Sequence, residues 1–387
     1  MQTFIQFGAG AAGRAVMGAI FSRAGFEVVF VDIDEPLIER LNARGSYSII
    51  ERFSGRPEHI VTIDNVRGVS ARDGDRVAAE LAGALADGAL AGTSVGMRAL
   101  QHVVPVLAHG MAGRNGRGLD VILGENMKHG ALACAKDLKQ AGLTEGAAGV
   151  SWVEACIGRM IAPVANDGSD HVVAEPHLSL IVSKPALRAA VMPVDGLVRT
   201  DDISAIVDRK LFIHNMAHAT LAYAARRDAP RLTYVHEAVT HAAVREATIR
   251  CMRESAQALV LAYPAVFGRS DLDAYIGDLL ERFANEALAD TLVRVGRDVS
   301  RKLSRDDRLI GAMRLAVAQG VECPALGASV VAAMRFVRDA EGDDEGDRAF
   351  ARDLTNIGAE RILVEHCELD EANEVDAGVR AAVLHAW

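Results

Sequence analysis

The stretch KLFIHNMAH, residues 210–218, places a lysine, an asparagine and two histidines within an otherwise mostly apolar segment. On an α-helix, with about 100° between successive residues, Lys210, His214, Asn215 and His218 fall on one side. Lysine and histidine can accept a proton, and an asparagine amide can donate a hydrogen bond to a substrate oxygen. The pattern indicates either a helix that turns a polar flank toward a reaction site or a surface helix with a snorkelling lysine and solvated histidines.

This group of side chains suits the oxidation of a secondary alcohol. The hydroxyl proton must pass to a base, and the oxygen must be stabilised while it has alkoxide character. Lysine serves as the base when burial and positive neighbours lower its pKa toward neutrality, and asparagine amides are suitable donors to the oxygen. Lys210, Asn215 and Asn126 would supply these parts, although Asn126, in the stretch LGENMKHG, is also typical of an ordinary turn.

A metal site is the other chemistry that the two histidines suggest. His214 and His218 have the i, i+4 spacing of a helical zinc pair, but Asn215 stands where a zinc protease has its glutamate. His236 and His241 are five residues apart and do not share a helix face well, and no third ligand has a compelling position. The sequence therefore predicts catalysis without a metal.

The N-terminal segment TFIQFGAGAAGRAVMGAIFSRAGFEVVFVDID, residues 3–34, has the pattern of a complete βαβ unit that binds a dinucleotide. In such units each glycine has a physical role. Gly8 permits the tight turn, Gly10 lets the backbone approach a pyrophosphate, and Gly13 lets the helix pack closely on the strand. The N-terminus of the helix then faces the phosphates.

The end of the second strand indicates which dinucleotide binds. Asp32 follows Gly13 by about 20 residues, the spacing at which an acidic residue accepts hydrogen bonds from the adenosine ribose. The same carboxylate repels the 2′-phosphate of NADP. Asp34 and Glu35 come next, and no arginine or lysine is nearby in the sequence. NAD is therefore the predicted cofactor.

Two later stretches, ALAGTSVG (89–96) and LDVILGENMKHG (119–130), have the texture of parallel strands that end in polar or glycine-rich turns. Ligands of such sheets gather at the carboxyl ends of the strands. This places Val95 and Gly96 near the dinucleotide. By the same argument, Glu125 and Asn126 lie near its reactive end.

A change of texture near residue 200 indicates two domains. Residues 150–183 are partly alternating and rich in β-branched side chains, so the sheet is expected to continue there. Beyond residue 200 the pattern is helical and rich in alanine, after a stretch punctuated by two prolines and a glycine. We therefore expect an α/β Rossmann-type NAD-binding domain with extra strands over residues 1–195. An all-α domain that carries substrate binding and catalysis would occupy residues 196–387.

Composition and charge narrow the class of protein. The net charge of −10 argues against a general binder of nucleic acid or of anionic membranes, because both require a positive surface field. No signal peptide or membrane span is apparent. The five cysteines are widely spread and lack CxxC spacing. These features predict a cytoplasmic protein, monomeric or a small homo-oligomer, whose partner is a small molecule.

The motifs together resemble those of the polyol-specific long-chain dehydrogenases. The resemblance rests on KLFIHNMAH, FGAGAAGR and GEN, and it continues through LNARGSY (41–47), DRKLF (208–212) and RVGRDVSRKLSRDDRLI (294–310). It implies metal-independent oxidation with NAD, in which the lysine is the general base, two asparagines bind the reacting oxygen and a histidine helps to hold the substrate. These roles would fall to Lys210, to Asn126 and Asn215, and to His218.

Within that family the likeness is strongest to members that interconvert mannitol 1-phosphate and fructose 6-phosphate, so this reaction is the leading hypothesis. Three alternatives remain: a dehydrogenase of another polyol or polyol phosphate, a β-hydroxyacid dehydrogenase, and a nucleotide-sensing protein without turnover. Some positions depart from the family pattern. Ala11 replaces the usual asparagine, Gly158 replaces an acidic residue, and Ser179 and Leu180 replace a Glu-Trp pair.

A basic stretch in the second half bears on the class of substrate. If the stretch is one continuous helix, four arginines share a face, namely Arg294, Arg297, Arg301 and Arg308. Gly296 and Asp298 are residue types that interrupt helices. The stretch predicts capture of a sugar phosphate, with Arg294 and Arg301 as the first candidates. The alternative is a salt-bridged surface that uses nearby aspartates, namely Asp290, Asp306 and Asp307.

Overall fold

A computed structural model of the chain describes residues 2–86, 90–110, 118–140, 142, 149–162, 171–191, 193–339 and 345–387. The chain divides into two compact units, Met1–Ile206 and Val207–Trp387. The first unit has α/β architecture and the second is helical. The predicted fold class, a Rossmann-type domain with added strands followed by an all-α domain, is confirmed.

Among the described residues, all strands lie in the first unit. They are β1 (Thr3–Phe7), β2 (Glu27–Asp32), β3 (Ser46–Glu51), β4 (His59–Asp64), β5 (Val66–Ser70), β6 (Leu90–Thr93), β7 (Leu119–Leu123), β8 (Val150–Ile157), β9 (Val172–Ala174), β10 (Leu180–Ser183) and β11 (Leu197–Thr200). A π-helical turn, Gly13–Gly18, leads into α1 (Ala19–Arg23), and the later helices are α2 (Glu35–Arg44), α3 (Gly74–Ala86), α4 (Met97–Gly110) and α5 (Gly130–Gln140).

The main sheet has the strand order β11-β10-β8-β7-β6-β1-β2-β5. From β5 to β8 all neighbours are parallel, β10 is antiparallel to β8, and β11 is parallel to β10. Successive strand residues point to opposite faces. Phe4 therefore joins the core on one face, while Ile5 and Phe7 join the core on the other. The order reverses between β1 and β6, and ligands of such sheets bind where the order reverses.

A second, three-stranded sheet has the order β4-β3-β9. The prediction that residues 150–183 continue the main sheet is therefore only partly right, because β8 and β10 do so and β9 does not. The β3–β4 hairpin is antiparallel and leaves one edge of β3 open, and β9 pairs with that edge in parallel. Val172 and Ala174 then bury their side chains in the same core as Ile49.

Two side chains hold the π-helical turn at the start of the first helix. The Tyr47 hydroxyl donates to the carbonyl of Arg14 at 2.6 Å, and Arg159 Nη1 donates to the carbonyl of Ala15 at 2.8 Å. Arg159 is buried and also pairs with Glu51 at 2.7 Å. These contacts fasten the turn to the three-stranded sheet and so fix the glycine-rich loop that precedes it.

The second unit consists of helices, and no strand occurs in its described residues. Together with the helix that leads into it, they are α6 (Ile203–Arg209), α7 (Met216–Asp228), α8 (Val235–Thr240), α9 (Ala242–Ala262), α10 (Arg269–Phe283), α11 (Leu292–Gly296), α12 (Val299–Lys302), α13 (Ile310–Ala318), α14 (Pro324–Asp339), α15 (Glu345–Glu365) and α16 (Glu374–Ala386). A π-helical turn, Lys210–Asn215, joins α6 to α7 without a break.

Candidate active site

The glycine-rich loop has the geometry that its sequence predicts. Gly8 adopts φ +94°, and a Cβ on it would lie 2.5 Å from the carbonyl oxygen of Ser94. A Cβ on Gly13 would lie 2.0 Å from the carbonyl oxygen of Gly8, whereas a Cβ on Gly10 would meet no atom within 4 Å. Gly8 and Gly13 therefore permit close packing, and Gly10 leaves open space beside the backbone. A pyrophosphate fits such a cradle.

Asp32 lies directly beside this loop. Its Oδ2 accepts a hydrogen bond from the backbone N–H of Ala9 at 2.6 Å, and its Oδ1 accepts one from Asp34 at 3.0 Å. A carboxylate oxygen has two lone pairs, so both oxygens can still accept a ribose hydroxyl. The structure thus brings Asp32 together with the glycine loop.

The surroundings of Asp32 correct one step in the prediction of NAD. In the sequence no basic residue is nearby, but the loop after β5 brings in Arg72, whose Nη1 lies 3.6 Å from Glu35 Oε1. The register of β2 and β5 pairs Asp32 with Ser70, two residues before Arg72. An arginine therefore lies near the carboxyl end of β2, and it is paired with Glu35.

The carboxyl ends of β6 and β7 bring together the other predicted cofactor residues. Glu125 is buried, and it accepts hydrogen bonds from the Thr93 hydroxyl at 2.5 Å and from the backbone N–H of Val95 at 3.0 Å. Burial raises the pKa of Glu125, although these hydrogen bonds oppose the effect. Gly96 adopts φ +83° and follows in the same turn. Asn126, next to Glu125, is exposed.

Two of the departures from the family pattern lie in contact. The Gly158 N–H donates to the carbonyl of Ser179 at 2.7 Å, and a Cβ on Gly158 would lie 3.0 Å from the Ser179 Cβ. Any side chain at residue 158 would therefore push against residue 179. The two replacements by small residues are compatible because they share one space.

In the second unit, the lysine segment forms a π-helical turn instead of the α-helix that the sequence analysis assumed. The N–H of Met216 donates to the carbonyl of Leu211, five residues earlier. Because an i→i+5 turn holds more residues than an α turn, Lys210 and Asn215 lie more nearly above one another than α geometry predicts. Single π turns within α-helices are frequent at functional sites. The correction strengthens the grouping of Lys210 with Asn215.

His214 and Asn215 are buried, and His218 is half-buried. Burial lowers the pKa of His214 well below its usual value, and the positive charges of Arg282 and Lys210 act in the same direction. The ring of Phe283 packs against both histidines, stacked on His218 and edge-on to His214, and the two imidazoles also contact each other edge-on. His214 is thus kept neutral in an apolar, locally cationic surrounding.

His218 has a charged partner that the sequence analysis did not assign to the site. Its Nε2 lies 3.1 Å from Asp290 Oδ2, and Arg294 donates to the other oxygen of Asp290 at 2.8 Å. Burial by itself would raise the pKa of Asp290, but the hydrogen bonds from His218 and Arg294 outweigh it, and the pKa is lowered. Burial lowers the pKa of His218, although Asp290 opposes this. A neutral imidazole therefore faces an ionised carboxylate.

The basic stretch is not one continuous helix, which corrects the shared arginine face. Helix α11 ends at Gly296, Asp298 takes the left-handed conformation with φ +63°, and α12 begins at Val299. Gly296 is packed so tightly that a Cβ would lie 2.3 Å from Phe336. The arginines are therefore distributed over two short helices and the turns that follow.

Each arginine that is a candidate to bind phosphate forms an ion pair with an aspartate. Arg294 pairs with Asp290, and Arg301 pairs with Asp298 and, at 2.9 Å, with Asp307. Asp290 and Asp307 are also two of the aspartates named in the salt-bridge alternative, so its ion pairs are present. Capture of a phosphate by these arginines stays a prediction.

Lys302 is a buried cation at the break between α11 and α12. Its Nζ donates to the carbonyls of Val295 and Arg297. Burial, together with the positive charges of Arg308 and Arg301, lowers the pKa of Lys302 to about 7. The side chain therefore ties together the two helices that carry Arg294 and Arg301.

The described part of the chain bears on two further kinds of function. None of its helices combines the length and the apolar character that a bilayer crossing requires. No cluster of three or more histidine, cysteine, aspartate or glutamate side chains is arranged there to hold a metal ion.

Sequence reasoning missed residues whose contacts depend on how the chain folds. Asp290, Arg72 and Lys302 gain their meaning from contacts across turns and helices, and no local spacing identifies them. The pair His218–Asp290 joins α7 to the loop that precedes α11. A nearby signal existed only for Asp290, which is four residues before Arg294, the spacing of a helical ion pair.

Two family models match the chain, and together they span most of it. The model described as the mannitol dehydrogenase Rossmann domain matches residues 2–196. The model described as the mannitol dehydrogenase C-terminal domain matches residues 202–365.

Named relatives agree with these matches. A mannitol-1-phosphate 5-dehydrogenase of Brevibacillus brevis is 31% identical over 370 residues, covering 93% of this chain and 92% of that protein. The enzyme of the same name from Bacillus licheniformis is 31% identical over 375 residues, covering 95% and 96%. Among solved structures, Pseudomonas fluorescens mannitol 2-dehydrogenase has a TM-score of 0.71 at 16% identity over 100% of this chain and 91% of that one. A D-sorbitol dehydrogenase has a TM-score of 0.69 at 15% identity, covering 98% and 94%. At such identities the structures show a shared fold.

Proposed function

Because the chain belongs to the mannitol dehydrogenase family, we propose that it is an NAD-dependent oxidoreductase that interconverts mannitol 1-phosphate and fructose 6-phosphate without a catalytic metal. The relatives that support this substrate are named mannitol-1-phosphate 5-dehydrogenase and match over most of both chains. The observation that carries the proposal is the π-helical turn Lys210–Asn215, which would group a base with an amide donor, one helical turn before His218.

The glycine loop and Asp32 would hold the cofactor. Gly10 leaves room for the pyrophosphate, Gly8 and Gly13 allow the tight approach, and Asp32 can accept the ribose hydroxyls. Val95 and Gly96 would line the neighbouring part of the dinucleotide site. When bound, NAD accepts the hydride that leaves the carbinol carbon.

Lys210 would take the hydroxyl proton as that hydride leaves, so the alcohol becomes a ketone. Asn215 and Asn126 would donate amide hydrogen bonds to the oxygen while it has alkoxide character. In the reverse direction the Lys210 ammonium returns the proton to the oxygen. No metal is needed, because the lysine and the two amides together supply the proton transfer and the stabilisation of charge.

His218 would fix the orientation of the substrate. Its Nε2 faces the ionised Asp290 and so carries the proton, which leaves Nδ1 of the neutral ring as an acceptor. A substrate hydroxyl can donate to Nδ1. Asp290 would therefore select both the tautomer and the orientation of the imidazole, in the way that carboxylates orient catalytic histidines.

Arg294 and Arg301 would bind the phosphate. Each has five N–H donors, so an arginine that is paired with an aspartate can share its remaining donors with phosphate oxygens. Their acid partners also favour a second candidate, a dehydrogenase of an unphosphorylated polyol, because Asp290, Asp298 and Asp307 already satisfy much of the positive charge. The structural neighbours named for mannitol and sorbitol are consistent with this candidate.

The test is the oxidation of NADH with fructose 6-phosphate beside fructose, by the intact protein and by Lys210→Ala, with and without a chelator. We expect turnover of the phosphate, loss of turnover in Lys210→Ala with NADH binding retained, and no effect of the chelator. A preference for fructose would move the function to the unphosphorylated polyol. Tight NADH binding without turnover of either would favour another substrate or a nucleotide sensor.

A further inference from the structure

Three side chains beside Asp32 form a cluster that the proposed reaction leaves unused. Glu35 is the first residue of α2, Ser70 is the last residue of β5, and Arg72 follows in the next turn. The Ser70 hydroxyl donates to Glu35 Oε1 at 3.3 Å, and Arg72 Nη1 lies 3.6 Å from the same oxygen. Since Ser70 is the register partner of Asp32, the cluster lies on the ribose side of the predicted dinucleotide site.

The contact between Arg72 and Glu35 is weak enough to be exchanged. The Arg72 side chain is 70% exposed and that of Glu35 is 50% exposed. Exposed ion pairs contribute little to stability, so the guanidinium can leave Glu35 for a stronger partner. The backbone N–H of Arg72 is bound to the Ser70 hydroxyl at 3.3 Å, which keeps the base of the side chain close to β5 when its end moves.

A phosphate on the ribose 2′-oxygen would be such a partner. It carries more negative charge than a carboxylate and presents oxygens that match the fork of a guanidinium. In dinucleotide-binding domains that use NADP, an arginine near the end of the second strand accommodates this phosphate. Arg72 has the position and the chemistry for that role, and Glu35 competes for it.

We propose that Glu35 and Arg72 select between the two nicotinamide cofactors, with Glu35 holding Arg72 away from the 2′-phosphate of NADP. Selection then has two components: Asp32 repels the phosphate, and Glu35 occupies the arginine that would otherwise attract it. The inference rests on the proposed dinucleotide site. It adds that loss of Glu35 opens a phosphate site that depends on Arg72.

The test compares the dissociation constants of NADPH and NADH, measured by nucleotide fluorescence on the intact protein. The variants are Glu35→Gln, Arg72→Ala and the double variant. We expect Glu35→Gln to tighten NADPH relative to NADH about fivefold, the factor at the upper end for one exposed charge interaction. The double variant should lose this gain, and Arg72→Ala alone should leave NADH binding unchanged.

Asp201→Asn is the matched control. Asp201 is also an exposed acid in an ion pair, with Lys184, but it follows β11 at the opposite edge of the same sheet. It changes the net charge equally and should leave the ratio of the two constants unchanged. An equal gain in Asp201→Asn, or a gain in Glu35→Gln that survives loss of Arg72, would overturn the proposal in favour of a general charge effect. If Glu35→Gln still bound NADH but gained no affinity for NADPH, the proposal would also be overturned. Failure of the wild-type protein to bind NADH would refute the proposed function as well.

Discussion

A Cβ added at Gly10 would have different neighbours from a Cβ added at Gly13. Substituting each glycine by alanine can therefore separate the effect on cofactor binding from the effect on folding. A Cβ on Gly13 overlaps the carbonyl of Gly8, whereas a Cβ on Gly10 enters open space. We expect Gly10→Ala to keep the wild-type melting temperature and to weaken NADH binding, because the methyl group occupies the place of the pyrophosphate. Gly13→Ala should also destabilise the fold, by about 1–3 kcal/mol. Calorimetric titration and thermal unfolding measure the two effects, and unchanged NADH affinity in Gly10→Ala would contradict the proposed cradle.

Asp290 gives a second prediction at the scale of one residue. Asp290→Asn removes the charge that orients His218 and holds Arg294. Hydrogen bonds to charged groups contribute about 1.5–3 kcal/mol, so we expect kcat/KM for the polyol phosphate to fall about 10- to 100-fold. NADH binding should not change.

Asp273→Asn serves as the control for Asp290→Asn. It removes an equal charge from an exposed ion pair of α10, with Arg269, and should retain activity. If the two variants lost activity equally, the effect would come from net charge and not from the orientation of His218.

At the scale of elements, Lys302 should make stability depend on pH. Its folded pKa of about 7 is below its value of about 10.4 in an unfolded chain. Between these pH values the native state has released a proton that the unfolded chain keeps, so the free energy of unfolding rises with pH. The slope from this one group is at most about 1.4 kcal/mol per pH unit. Urea unfolding between pH 7 and pH 10 measures it.

Two substitutions isolate this contribution. Lys302→Met keeps the aliphatic stem and should remove the rise in stability with pH, at the expense of the hydrogen bonds to Val295 and Arg297. Lys184→Met removes a 59% exposed lysine and should leave the rise intact. If the free energy of unfolding rose with pH in Lys302→Met as it does in the wild type, other groups would be responsible for the rise.

The sequence predicted most of the elements that bring the candidate site together. The spacing of Gly8, Gly10, Gly13 and Asp32 follows from local requirements of a βαβ unit, and the structure shows the required close contacts. The helical texture after residue 200 likewise follows from local periodicity. These features depend on residues that are close in sequence, so the sequence alone is enough to predict them.

The rest depended on contacts that sequence spacing does not encode. The pattern of KLFIHN predicts a helix but does not distinguish a π turn from an α turn. Gly296, the last residue before the helix break, packs so closely on Phe336 of another helix that a Cβ would overlap its ring. The approach of Arg72 to Glu35 depends on the pairing of β2 with β5. Tertiary packing selects among local conformations in each case.

For the whole molecule, the two compact units should respond differently to cofactor. The first unit has its own cores on both faces of the sheet, and the second has its own buried side chains. We expect calorimetry to resolve two unfolding transitions. NADH should raise the free energy of unfolding in one of them, by about 2.7 kcal/mol when its concentration is 100 times the dissociation constant. Met252→Ala, at a fully buried position in α9, should lower the free energy of unfolding in the other transition by about 2–5 kcal/mol. A single transition moved by both changes would show that the units unfold together.

The π-helical turn Lys210–Asn215 also constrains how the gene can change. A π turn behaves as an α-helix with one additional residue, so loss of one codon within it would restore α geometry. Deleting Ile213 would keep Lys210, Asn215 and His218 in the chain and preserve the reading frame, yet it would rotate Lys210 by about 100° relative to His218. Insertions and deletions in this short segment should therefore be under stronger purifying selection than many of its substitutions.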